Sequence, residues 1–321
     1  DINPFNWKPI FMLSHLTPVC PPQLLKQAQA LPAMTTAVVN AGSELALESA
    51  KLAFEAGIIV PVLVGDETAI HAAAKAIDWP ISRFKLIASN GEEDAAEKAV
   101  QCIHQGTAQL LMKGNVHTDV LIRALLNKQH GLRTGERLSH LFHMSVPGNS
   151  RVLCITDAVV NVLPDTKTQL SILRGATDVM HALGNAKPKI ALLSATEVVT
   201  QAMPSSFNAK ELLGAMLEQD HLAAEVFGPL AFDGAVSPEA ARLKGIDSPV
   251  AGYADVLLVP NIETGNAIFK QMVYFNGATA AGVLMGARVP VMLTSRADPP
   301  AARLASAALA VIYAHYLSQK S

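Results

Sequence analysis

The chain has 321 residues, half of them hydrophobic, 16% charged and only 5% aromatic, a length that suits two domains better than one core. An interior of Ala, Val, Leu and Ile fits helices layered on buried parallel strands and argues against an all-β sandwich. A formal charge of −2 with no polybasic run offers neither a field for nucleic acid nor a tail for a membrane surface.

The chain opens DINPFNWKP with no basic-then-apolar signal pattern and no Met, which leaves processing and a missing upstream domain open. From residue 35 the pattern alternates. MTTAVVNA reads as a strand, SELALESAKLAFEAG as a helix closed by Gly57, IIVPVLVGD as a strand and DETAIHAAAKAI (66–77) as a helix. Such short apolar runs between helices of about three turns are expected of a parallel sheet covered on both faces. AQLLMKG (108–114) continues the series and TDVLIRALLNK follows as a helix. MSVPGNS (144–150) ends a strand in turn residues and marks a domain boundary.

A second series follows: strands in RVLCITDA, KIALLSAT and ADVLLVP (254–260), with helices in NAKELLGAMLEQ and GNAIFKQMVYF. The uncharged run QMVYFNGATAAGVLMGA (271–287) is too short and polar to span a membrane, and reads as a buried or interface helix followed by a turn. RVPVML is the last strand. PAARLASAALAVIYAHYLSQK (300–320) is a long terminal helix, with Pro300 in the first turn where no N–H is needed.

Three places along this series could carry chemistry. In LMKGNVHTDVLIRA (111–124), a strand delivers Lys113, Gly114 permits a tight turn and Thr118 is placed to cap the next helix. Free N–H groups there, with Lys113, His117 and Arg123, would form an anion site; an ordinary capped helix fits equally well. In ADVLLVPNIETGNAIFK, a helix starting at Thr264 or Gly265 would set Asn266 and Lys270 one turn apart on one face, a pattern that capping and solvation also explain. In GARVPVMLTSRADPP (286–300), a strand ends in Ser295, Arg296 and Asp298, a set that also suits a plain turn.

Other signals are weak. No P-loop, GxGxxG, HExxH or GxSxG motif occurs. His140 and His143 fall on opposite faces of a strand and are poorly placed to share a metal. Cys20, Cys102 and Cys154 stand apart and are expected to be structural thiols of a reducing compartment. The loop NKQHGLRTGER (127–137) is basic and reads as solvated, or as a contact for a phosphorylated cofactor.

Taken together, LMKGNVHTDVLIRALL, GLRTGERLSHLFHMSVP, ITDAVVN, GPLAFDGAVSPEA, SPVAGYADVLLVPNIETGNAIFKQ and AAGVLMGARVPVMLTSRAD resemble phosphate acetyl/butyryltransferases, in order over roughly residues 35–315. The likeness is closer to the butyryl-type branch, including the carboxy-terminal half of chains fused to an enoyl-CoA hydratase-like domain. The resemblance implies a two-domain α/β/α fold of the isocitrate/isopropylmalate dehydrogenase type, with the active site in the interdomain cleft. Residues 1–148 and 283–321 would form the first domain and 149–282 an inserted second one. It further implies a cytoplasmic homodimer that uses coenzyme A, phosphate and acyl phosphate as substrates, with no metal and no covalently bound cofactor.

Residue by residue, the resemblance assigns Ser295 to the CoA sulfur and Arg296 to phosphate charge. His117, Thr118 and Arg123 match the loop and helix start that would cradle the acyl phosphate, with Lys113 and Gly114 of the same turn added from the anion-site reading, while Asn266, Lys270 and Asp157 would line the cleft. The acetyl branch places its base seven residues after the Ser, which here is Ala302. The butyryl-type pattern has an Asp three residues after it, which here is Asp298. No side-chain nucleophile with an activating base stands out, so direct transfer in a ternary complex is expected. The competing readings are a metal- and NAD-dependent decarboxylating dehydrogenase of the same fold and a non-catalytic domain that scaffolds a fused enzyme.

Overall fold

A computed structural model describes residues 13–219, 222–293 and 297–320. The first half of the chain runs α1 (Pro22–Gln29), β1 (Met34–Val39), α2 (Glu44–Glu55), β2 (Ile59–Gly65), α3 (Glu67–Ala76), β3 (Lys85–Ala88), α4 (Gly91–His104), β4 (Leu110–Lys113), α5 (Thr118–Leu126) and β5 (Ser139–Ser145). The second runs β6 (Val152–Thr156), α6 (Thr166–Ala182), β7 (Lys189–Leu193), α7 (Pro204–Gln219), β8 (Glu225–Leu230), α8 (Phe232–Val236), α9 (Pro238–Leu243), β9 (Val256–Leu258) and α10 (Ile262–Asn276). β10 (Thr279–Met285), β11 (Val291–Met292) and α11 (Pro300–Lys320) complete it.

The local signals work as their chemistry requires. Ser43 and Asp66 accept N–H bonds at the starts of α2 and α3, supplying acceptors to donors that have no partner inside the helix. All the strands join one sheet in the order β3-β2-β1-β4-β11-β10-β5-β6-β9-β7-β8. The sheet is not purely parallel, as the sequence suggested: β10 is antiparallel to both β11 and β5, and β5 is antiparallel to β6. β6, β7, β8 and β9 therefore run opposite to β1, β2, β3, β4 and β11. The expected helix and turn over 271–287 is also corrected. α10 stops at Gly277, whose φ of 63° suits a residue without Cβ, and the remainder is β10.

Alternation along the strands sorts the core. Val38, Leu63, Met112, Met292, Met285, Cys154, Leu192 and Leu258 face one continuous cluster, covered by α1, α2, α3, α6, α7 and α11. Their neighbours face two separate clusters on the other side. Val39, Val64, Leu111, Leu284 and Val291 pack under α4 and α5; Met144, Ile155, Ala191 and Leu257 pack under α8, α9 and α10.

Between those two clusters lies His140, in register with Leu284 and 1% exposed. Its ring meets Phe142 edge-on at 4.4 Å, and neither ring nitrogen has a partner. Burial lowers its pKa to about 3 and that of His143 to about 4. The unfolded chain therefore binds protons that the folded one refuses, and stability present above about pH 6.5 is lost as pH falls toward those values. From about pH 7 to about pH 5, His140 alone is expected to cost about 2 kcal/mol. Urea unfolding at the two pH values checks this: His140→Phe should lose much of the parent's drop.

Candidate functional site

Strand ends bring the first group of sequence-marked residues together. Lys113 closes β4 on the face of Leu111, half-buried, and its backbone pairs with Val39 of β1. Gly114 donates to Val39 O at 3.0 Å and Asn115 to Asn40 O at 3.0 Å, so the turn continues the ladder for two more residues. A Cβ on Gly114 would run into the carbonyl oxygens of Val39 and Asn40. Glycine is thus required there by the close approach of two backbones.

His117, and not Thr118, is the residue before the first turn of α5, and Thr118 is already helical. The first turn receives no side-chain cap from His117, because that side chain turns to Glu92 at the start of α4. Glu92 accepts the His117 backbone N–H at 2.8 Å and meets Nδ1 at 2.8 Å. The His117 N–H above all, with His117's side chain and the charge of Lys113, holds the Glu92 carboxyl below its ordinary value, against the opposing effect of burial. Arg123 reaches back along α5 to Asp119 at 3.3 Å, as helical side chains lean toward the N-terminus, so its guanidinium lies over the first turn, largely exposed.

The last strand of the first half joins this group. β11 pairs with β4 in parallel, Val291 with Leu111 and Met292 with Met112, so β11 ends beside the strand that carries Lys113. Ser295 and Arg296 lie outside the described residues. Asp298 is half-buried two residues before Pro300, where α11 starts.

Asp157, Asn266 and Lys270 are set apart from this edge. Asp157 follows β6, which runs opposite to β4. Only 2% exposed, it accepts from the backbone N–H groups of Val159, Val160 and Asn161 and from Asn161 Nδ2. Burial raises its pKa against those bonds, and the carboxylate is committed to shaping its loop. α10 begins at Ile262 under an Asn261 cap, two residues before the predicted start. A Cβ on Gly265 would approach Ala158 Cβ to 2.8 Å, so the first turn of α10 packs against the loop that follows Asp157. From there α10 runs toward the start of β10, at the β4 edge, with Lys270 exposed one turn along.

Glu92 was not read from the sequence. An acid in a first helical turn is a common feature, and a partner 25 residues away leaves no local trace. Cys102 and Cys154 are buried and Cys20 is half-buried; burial pushes the Cys20 thiol up to about 11 and Cys154's up to about 12. Among the described residues, no three His, Cys, Asp or Glu side chains converge on a metal-sized position, and no helix is long and apolar enough to cross a membrane.

Comparison with known proteins gives this arrangement its class. The family described as Phosphate acetyl/butaryl transferase matches residues 87–311. A phosphate acetyltransferase of Rhizobium meliloti is 43% identical, over 91% of this chain and 92% of its own. A phosphate butyryltransferase of Clostridium beijerinckii is 39% identical, over 91% of this chain and 97% of its own. A branched-chain phosphotransacylase from Enterococcus faecalis V583 shares the fold at a TM-score of 0.76 and 31% identity, covering 88% of this chain and 99% of that one. The chain belongs to the phosphate acetyl/butyryltransferase family. It is a phosphate acyltransferase, which sets aside the dehydrogenase and scaffold readings.

The Glu92–His117 contact ties α4 to the turn before α5. Glu92→Gln keeps the shape but loses the charge, and is expected to lower unfolding free energy by about 1 kcal/mol at neutral pH. Denaturant unfolding measures this.

Proposed function

We propose that the chain transfers a short acyl group, acetyl or butyryl, directly between coenzyme A and phosphate, with both bound at once. The observation that carries this reading is the pairing of β4 with β11. It sets the end of β11 beside the strand that carries the Lys113–Thr118 turn; the resemblance assigns that turn to acyl phosphate, and Ser295, which follows β11 in the sequence, to the CoA sulfur. Lys113, Gly114, His117, Thr118 and Arg123 cradle the acyl phosphate at the start of α5, where free N–H groups and cations favour an anion.

A CoA thiol titrates near ~8.5, so a few per cent is thiolate at neutral pH. In acyl-CoA synthesis, Asp298 takes the thiol proton and the sulfur attacks the acyl phosphate carbonyl. The C–O bond to phosphate then breaks and inorganic phosphate leaves. In reverse, phosphate attacks the thioester and the sulfur leaves as a thiolate that Ser295 and Arg296 stabilise. One such positioned donor is worth about 3–4 kcal/mol of transition-state stabilisation, and the planar Arg fork suits paired phosphate oxygens. Holding two reactants in line supplies much of the rest.

In the same reading, residues 149–282 form an inserted second domain of an isocitrate dehydrogenase-like fold, with the cleft between the two halves. The separation of the two core clusters on one sheet face supports this. Asn266 and Lys270 then line the cleft from α10, and Asp157 acts by shaping the loop behind Asn266. Exposed Val162, Leu163, Val198 and Phe232 follow β6, β7 and β8, a surface suited to a second copy in a cytoplasmic homodimer.

The test is phosphate-dependent release of free thiol from acetyl-CoA or butyryl-CoA. Release is expected, and its absence with every short acyl-CoA overturns the reading. Asp298→Asn is expected to lower kcat roughly hundred-fold while CoA binding changes little. Full activity in that variant would reduce Asp298 to a turn residue.

A further inference from the structure

α10 carries Asn266 and Lys270, which the reading above places in the cleft, yet packing holds this helix lightly. Only Gly265 of its described residues is buried, and Phe269 stacks on Phe142 of β5 with ring centres 4.3 Å apart. The last turn has less cover still: Gln271, Phe275 and Asn276 are exposed. Gly277 and Ala278 close the helix locally, donating to Val273 O and Met272 O at 3.1 and 3.0 Å, as a left-handed glycine allows. Tyr274 O is satisfied from far away in the sequence: the Ser14 N–H donates to it at 2.9 Å.

The segment around Ser14 makes further contacts at this end. A Cβ on Gly277 would come within 2.7 Å of Leu16 Cβ and 2.8 Å of Leu16 O, so residues 14–16 lie flush against the helix end. The Ser14 hydroxyl accepts the Leu16 N–H at 3.1 Å and turns the chain there. Val19 O then accepts the hydroxyl of Thr279, the first residue of β10, at 2.7 Å, and Thr279 is 1% exposed. From there the chain enters α1, which packs on the sheet face opposite α10. Residues 14–19 therefore pass around the edge of the sheet where β10 starts. β4 and β11 end at that same edge, since β10 is antiparallel to β11 and β11 parallel to β4. Leu13, Leu16 and Val19 leave their side chains exposed, so hydrogen bonds more than apolar burial set the course of the segment. Breaking either bond leaves a polar group short of a partner.

We propose that residues 14–19 form a strap that fixes the carboxyl end of α10 against the start of β10, and so positions Lys270 for acyl transfer. This rests on the reading that α10 lines the cleft. Lys270 lies one helical turn before Tyr274, the residue that the strap holds. The amino end of α10 is set by Gly265 against Ala158, and its middle by Phe269 on Phe142. Without the strap the last turn is free to fray, because its carbonyl loses the donor that tied it to the rest of the fold. Lys270 then loses the support on its C-terminal side, and small misplacements of a positioned group are costly in rate.

The experiment reads kcat/KM for phosphate-dependent thiol release, and backbone hydrogen exchange over residues 272–278. The variants are Ser14→Pro, Ser14→Ala, Thr279→Val, Thr279→Ser, Lys270→Ala and the double variant Ser14→Pro with Lys270→Ala. Proline removes the N–H that holds Tyr274 O, whereas alanine keeps it. Ser14→Pro is expected to speed that exchange and to lower kcat/KM about ten-fold, with Ser14→Ala within about three-fold of the parent. Thr279→Val should lower kcat/KM about three-fold, and Thr279→Ser, which keeps the hydroxyl, should match the parent. Lys270→Ala should cost at least as much as Ser14→Pro, and in that background Ser14→Pro should add less than about two-fold. A folded Ser14→Pro with the parent's exchange or kcat/KM overturns the inference. A fully additive loss in the double variant overturns it too, because the strap then acts without Lys270. If Ser14→Pro does not fold, the parent's kcat/KM in Thr279→Val, or a loss that Thr279→Ser shares, overturns it instead. If the parent is active and Lys270→Ala keeps its rate, the placement of Lys270 in the cleft falls while acyl transfer stands, and this inference falls with it. A parent that releases no thiol overturns all three.

Discussion

The burial of α11 is the constraint on which the architecture depends. From Ala305 to Ala314 every residue is buried, so this helix needs neighbours on all sides. It finds them in α1, α2 and α6 and in β4, β10 and β11. Ala305, Ala307, Ala308 and Ala310 let the backbones approach closely, while Leu309, Val311 and Ile312 each contribute roughly 1.5–3 kcal/mol by leaving water. Ser306 adds a polar stitch: its hydroxyl accepts the Gly282 N–H at 2.9 Å and donates to Ala302 O. A chain that ends in such a helix must return to the middle of the sheet. That return puts β11 beside β4.

Strand direction then divides the molecule. Because β5 and β10 are antiparallel to their neighbours, the two halves present their strand ends at opposite edges. The core is continuous beneath α11 and interrupted on the other face, around His140 and Gly282. α10 runs between the two edges, pinned at one end by the contact of Gly265 with Ala158 and at the other by the return into β10. A helix so placed can carry Asn266 and Lys270 toward groups that the sheet itself keeps apart.

Much of this was legible in the sequence, where the determinants are local. Ser43, Asp66 and Pro300 mark helix starts by their own chemistry, and β1, β2, β4 and β6 are apolar runs that burial on both faces demands. β3 and β8 were missed as outer strands: β3 is short, half-exposed and carries Lys85, and β8 contains Gly228 and Pro229. β10 was mistaken for part of a helix because TAAGVLM has no polar residue in its second half to set a period. The site follows the same division. Lys113, Gly114 and His117 stand out on a strand–turn–helix, whereas the bond from His117 to Glu92 and the pairing of residue 111 with residue 291 are products of topology. The mistaken cap at Thr118 has the same origin, since a contact across 25 residues turns the His117 side chain away from its own helix.

The electrostatics of the described residues bear on how acyl transfer is achieved. A covalent route through cysteine needs a thiolate, yet burial raises the thiols of Cys20, Cys102 and Cys154, the opposite of what a nucleophile requires. What the site region does contain is side chains held by carboxylates: His117 by Glu92 and the Arg123 cation by Asp119. A cation already held in place loses little freedom when an anion arrives, so less of the binding energy goes into ordering it. Each carboxylate also weakens the field its cation offers, which on the proposed reading favours prompt release of phosphate over tight retention. That balance suits an enzyme that interconverts two activated acyl compounds in both directions, because neither substrate can be bound so deeply that it fails to leave.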